Sequence, residues 1–113
     1  MSKIMTVTYN DKDYTLEYTR RSVQAMERQG FDINAVSSKP ATMIPMLLRG
    51  AFKAHHKDMR DDEIDEICDS IGVDRDDREA FIAKLVEMYS EPVLALMEGT
   101  KGNEKNATWK ASW

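Results

Sequence analysis

The run Met43 to His56, MIPMLLRGAFKAHH, constrains the fold more than any other stretch, because it is the most apolar segment and lies near the middle of the chain. Ile44, Leu47, Leu48, Ala51 and His55 recur at the i, i+3, i+4 spacing of one helical face, with Phe52 on its edge and Arg49 and Lys53 turned away. The spacing predicts a core helix with a solvated back. Thr42 is placed to cap the free backbone N–H groups, and Pro45 falls in the first turn, where a missing N–H removes no intrahelical bond. A helix starting at about Met43 is then ~14 to 16 residues long, too short and too charged to cross a bilayer that needs about 20 apolar residues.

The elements around it are written in two other periods. Met5, Val7 and Tyr9 alternate with Thr6 and Thr8, and after Asn10-Asp11-Lys12-Asp13 the alternation resumes as Tyr14, Leu16 and Tyr18. This pattern predicts a β-hairpin whose apolar face a helix must cover, since two strands alone are only marginally stable in water. Thr19 caps a predicted helix from Arg20 to Gln29, with Val23 and Met26 inward and Gly30 beyond its end. Phe31 and Ile33 follow as apolar anchors, and Asn34 to Pro40 reads as a polar connection.

From Asp58 to Glu79 the chain carries eleven acidic and three basic residues. Asp61 caps a predicted short helix with Ile64, Ile67, Cys68 and Ile71 inward, ending near Gly72. Asp74 to Asp77 opens a longer one with Phe81, Ile82, Leu85, Met88 and Tyr89 on its apolar side, acids being favoured at the positive end of the helix dipole. Ser90-Glu91-Pro92 predicts a kink, or a restart with Ser90 as cap, before Val93, Leu94, Leu96 and Met97 continue the pattern. Gly99 onward lacks periodicity and is expected to be a flexible tail. The expected fold is therefore α+β, a single globular domain over residues 1–98 with an N-terminal hairpin on four to five helices, and a disordered tail over 99–113.

A chain of 113 residues can bury roughly 65% of its unfolded surface, enough for one modest core. The formal charge of -4 offers no basic footprint for nucleic acid, and 32% charged residues beside 42% hydrophobic ones describe a globular protein. The single cysteine, Cys68, permits no intramolecular disulfide and points to a reducing cytoplasm, and the N-terminus lacks the apolar h-region of an export signal. His55 and His56 are helical neighbours pointing about 100° apart, so they cannot share one metal ion. Asp74, Asp76 and Arg78 begin like a calcium loop, but Glu79 and Leu85 stand where that loop needs Gly and Glu. Cys68 sits on an apolar stripe with no base beside it, and no phosphate-cradling loop or nucleophile elbow is present. These readings predict a non-enzymatic protein without cofactor, metal or membrane.

Eight methionines are many for this length, and flexible thioethers suit surfaces that accept several apolar shapes. Met26 and Met88 are expected in the core, whereas Met43, Met46 and Met97 lie near helix ends and are candidates for an exposed groove.

Leu16 to Phe31 (LEYTRRSVQAMERQGF), Gly50 to His56 (GAFKAHH), Glu87 to Pro92 (EMYSEP) and the terminal Ser112-Trp113 together resemble a family of small tail assembly chaperones of long-tailed bacteriophages, over nearly the whole chain. The resemblance implies reversible binding of the aggregation-prone tape measure protein in the host cytoplasm while tail tube subunits polymerise around it. It also implies a longer form, made by ribosomal frameshifting, that would engage the tail tube protein through an extension of the C-terminal tail. On that reading the client groove involves Met43, Met46, Leu47 and Phe52 together with Leu94 and Met97, and an acidic rim keeps the loaded complex soluble. The alternative is a structural tail completion or connector subunit retained in the virion. A homo-oligomer is open to a hairpin whose strand edge is unpaired.

Overall fold

The computed structural model describes residues 3–72, 74–98 and 110–113. Strands β1 (Met5–Tyr9) and β2 (Lys12–Leu16) pair antiparallel, with Met5 opposite Leu16, Val7 opposite Tyr14 and Tyr9 opposite Lys12. The turn between them is two residues, not the four expected. Asn10 and Asp11 take φ values of 50° and 63°, the pair of left-handed residues that a tight twisted hairpin requires and that Asn and Asp tolerate best after glycine. Lys12 and Asp13 are thereby drawn into β2, where the Asp13 carboxylate accepts from the Thr8 hydroxyl opposite it at 2.6 Å. The period of two still places Met5, Val7, Tyr9, Tyr14 and Leu16 on one face, packed against the core.

Helix α1 (Arg20–Arg28) starts where Thr19 predicts. The Thr19 hydroxyl accepts from the Ser22 N–H at 3.1 Å, and the Ser22 hydroxyl accepts from the Thr19 N–H at 2.8 Å. This reciprocal cap satisfies two donors that the first turn would otherwise leave bare. Gly30, at φ 101°, turns the chain out of the helix. A 3-10 turn at Ile33–Ala35, held by the Asp32 carboxylate on the Asn34 N–H, then leads into α2.

Helix α2 (Pro40–Lys53) begins three residues before the expected Met43. Of the two prolines in reach, Pro40 takes the first helical position, where its fixed φ is pre-organised, and Thr42 is already inside the helix. Pro45 therefore lies in the interior, and the carbonyl of Ala41 forgoes one ladder bond. The helix ends at Lys53, so His55 lies beyond it and is exposed rather than on the inward face. Phe52 moves the other way: expected at the edge, it is wholly buried with Leu16, Leu47, Ile64, Leu85 and Cys68. Helix α2 packs against α1, α3, α4 and β2, which makes it the centre of the domain.

Helix α3 (Asp61–Asp69) is capped at Arg60 rather than Asp61, the Glu63 carboxylate accepting from the Arg60 N–H. Ile64, Ile67 and Cys68 are buried as their spacing predicts. Its far end is closed by the following helix, for the Arg78 guanidinium donates to the carbonyls of Cys68 and Ile71. Gly72 (φ 94°) makes the bend between the two, and a Cβ there would lie 3.0 Å from the Arg78 side chain.

Helix α4 (Arg75–Glu98) has 24 residues and runs unbroken through Pro92. The expected restart does not occur: the Ser90 hydroxyl donates to the Val86 carbonyl at 3.0 Å instead of capping a new helix. One proline forfeits one ladder bond, and the apolar residues on both sides of it, from Leu85 to Val93, are packed on the core. Four helices and a hairpin thus form an α+β domain. The tail expected from Gly99 lies outside the described residues as far as 109, and residues 110–113 carry no helix or strand. Among the described residues no helix is long and apolar enough to cross a membrane.

Candidate functional site

The packing of α1 on α2 opens a cleft at the surface. Gly50 faces Met26 so closely that a Cβ would lie 2.4 Å from the Met26 sulfur, and this missing side chain is what lets the two helices approach. Beside that contact lies a cleft of about 460 Å³ with Ala25, Met26, Met46, Gly50 and Ala54 in its lining. Four cations border it, Arg21, Arg49, Lys53 and Lys57, against one acid, Asp61.

Two of those cations are already engaged. Arg49 forks onto Asp65, with Nε donating to Oδ1 at 2.9 Å and Nη2 to Oδ2 at 2.6 Å. This bidentate pair holds the Asp65 carboxyl below its ordinary pKa, the arginine hydrogen bond outweighing desolvation. The Lys53 ammonium donates to the Met59 carbonyl at 2.9 Å and lies 3.2 Å from Asp61 Oδ1. Arg21 and Lys57 are exposed and make no ion pair among the described residues.

The six residues expected to hold a client separate into three groups. Met43, Leu47 and Phe52 are buried in the core and cannot line a surface; the Met43 sulfur accepts from the Asp32 N–H at 3.5 Å. Met46, one position away from Leu47 and so rotated by about 100°, is half-buried and lines the cleft. Leu94 and Met97 are 51% and 82% exposed near the end of α4. No α4 residue lines the cleft, so the structure does not bring Leu94 and Met97 to Met46. The rim is cationic, not acidic. Residues 1–57 carry nine basic and five acidic side chains, whereas the acids from Asp58 to Glu79 belong to α3, its flanks and the start of α4.

The adjacent histidines have a structural role. His56 Nε2 accepts from the Thr15 N–H at 3.1 Å, which fixes the ring as the neutral tautomer with its proton on Nδ1. Burial, then the neighbouring His55 and Lys12, push its pKa below the ordinary 6.5. His55 Nε2 lies 2.6 Å from Oε1 of the buried Glu17, whose N–H donates to the Ala51 carbonyl at 3.1 Å. Tyr14 stacks edge-on against His56 and tilts over Phe52, and the Tyr18 hydroxyl donates to the Leu47 carbonyl at 2.6 Å. Together these contacts bind β2 and its exit to the C-terminal half of α2. Burial raises the Cys68 thiol to about 12, with Asp65 adding to the shift, so at neutral pH it is a protonated apolar group and not a nucleophile. Among the described residues no three metal-ligating side chains converge.

A hairpin and three helices gathered round one central helix, with a charged cleft on its outer side, define a small α+β domain whose conspicuous surface feature is a groove. The chain belongs to a family described as a domain of unknown function, DUF5055, whose model matches residues 1–113. No curated protein and no solved structure matches it.

Proposed function

We propose that this protein is a non-catalytic binding protein, a phage tail assembly chaperone that holds the tape measure protein soluble in the host cytoplasm during tail tube assembly. The observation that carries this reading is the cleft between α1 and α2, whose alanine and methionine lining offers an adaptable apolar surface next to water. The likeness of Leu16 to Phe31, Gly50 to His56 and Glu87 to Pro92 to that chaperone family supplies the client. Of the candidate residues, Met46 serves the cleft directly. Leu94 and Met97 supply a separate apolar surface for the tail tube protein or a second copy. Co-expression with the neighbouring tape measure protein is the test: the client should become soluble and co-elute with this chain in gel filtration. An insoluble client and no complex would overturn the reading.

A second reading has its own support. Leu94, Leu96 and Met97 are all more than half exposed, and a permanent neighbour in a finished particle would cover them, as expected for a tail completion or connector subunit. Mass spectrometry of purified virions separates the two, because a chaperone is missing from the particle and a subunit is present at fixed stoichiometry.

A further inference from the structure

We propose that the cleft between α1 and α2 receives an acidic amphipathic helix, with its apolar stripe on Met46, Ala25 and Ala54 and its carboxylates on Arg21 and Lys57. The inference rests on the binding function proposed above and adds the chemistry of the occupant. Both walls of the cleft are helix surfaces with residues three and four apart, Ser22, Ala25 and Gln29 on α1 and Met46, Gly50 and Lys53 on α2. Rows at that spacing accept the ridge of a third helix, whereas an extended segment of period two does not interleave with them. About 460 Å³ is within the ~300 to 1,000 Å³ range of sites that enclose a ligand, enough for a short apolar stripe.

Charge complementarity selects the occupant. The eleven acids against three bases from Asp58 to Glu79 would repel an acidic partner on α3 and the start of α4. Around the cleft the sign reverses. Arg49 and Lys53 are held by Asp65 and Asp61, but Arg21 and Lys57 are solvated cations at the edge of an apolar floor. An occupant with glutamates beside its apolar stripe satisfies both; a basic helix would satisfy neither.

The test uses the full chain and two labelled peptides that share one Leu/Met stripe at i, i+3, i+4, i+7, one flanked by glutamates and the other by lysines. Fluorescence anisotropy should show the glutamate peptide binding about tenfold more tightly, with the margin shrinking as salt is raised. The double variant Arg21→Glu, Lys57→Glu should reverse the preference while keeping the wild-type melting temperature. Both side chains are exposed, and an acid in the first turn of α1 suits the helix dipole. Methionine methyl NMR should report Met46 shifting on addition of the peptide. Equal binding of the two peptides, a preference unchanged by the double variant, or a cleft occupied by a second copy of the chain would each overturn the inference. Tape measure protein that still co-elutes with the double variant would leave the chaperone reading intact and discard this cleft as its client site.

Discussion

The two halves of this domain use charge in opposite ways. From Asp58 to the first turn of α4 the chain is densely acidic, yet several of those acids have structural tasks: Glu63 caps α3, Asp74 caps α4, and Asp65 and Asp61 reach across to Arg49 and Lys53 on α2. In the hairpin, α1 and α2 the charge is sparser and net basic, and Arg21 and Lys57 there have no such task among the described residues. A dense charge run is thus the scaffold, and a sparse one leaves cations free for a partner. Charge density alone points to the acidic half, whereas the proposed docking cleft lies on the basic one.

The largest effect is expected where the halves meet. Phe52 is wholly buried on the helix that touches both, and Phe52→Ala should cost about 3 to 5 kcal/mol in chemical denaturation, enough to unfold both halves together. If the acidic half survived with native circular dichroism, the two would be separate folding units. Next is Arg78→Ala, which frees two carbonyls at the end of α3; a loss of about 1 to 2 kcal/mol is expected from partly exposed charged hydrogen bonds.

A smaller, pH-dependent effect belongs to the basic half. His56 is neutral in the fold with its pKa held below 6.5, so the unfolded chain binds the proton more readily. Its contribution is complete above pH ~6.5 and is lost as pH falls through the lower folded value. Thermal melts between pH 7.5 and 5 should show that decline, and His56→Gln should flatten it. The smallest change in stability is expected at the cleft: Met46→Asp should leave the melting temperature nearly unaltered while weakening client binding. A collapse of the fold would assign Met46 to the core instead.

The legible parts of the fold were those governed by local chemistry. Thr19, Gly30 and the buried stripes of α1 and α3 obey caps and spacings a few residues long. The misplaced boundaries arose where two local signals competed. Pro40 and Pro45 each fit a helix start, and only packing chose Pro40; Pro92 fits a break, and packing on both sides of it preserved the helix. The candidate site was less legible for a different reason. Which of Met43, Met46, Leu47 and Phe52 meets solvent depends on how α2 is rotated among its neighbours, and Arg21 and Lys57 come together only because α1 folds onto α2 across Gly50.

The reach of Arg78 back to Cys68 and Ile71 also bears on motion. A helix end normally frays on its own, opening and closing its last amides independently of the next helix in the chain. Here the final turn of α3 cannot open without releasing a side chain anchored in the first turns of α4. Those two segments should therefore exchange their amide hydrogens as one cooperative unit, with a shared protection factor that persists until the whole junction lets go.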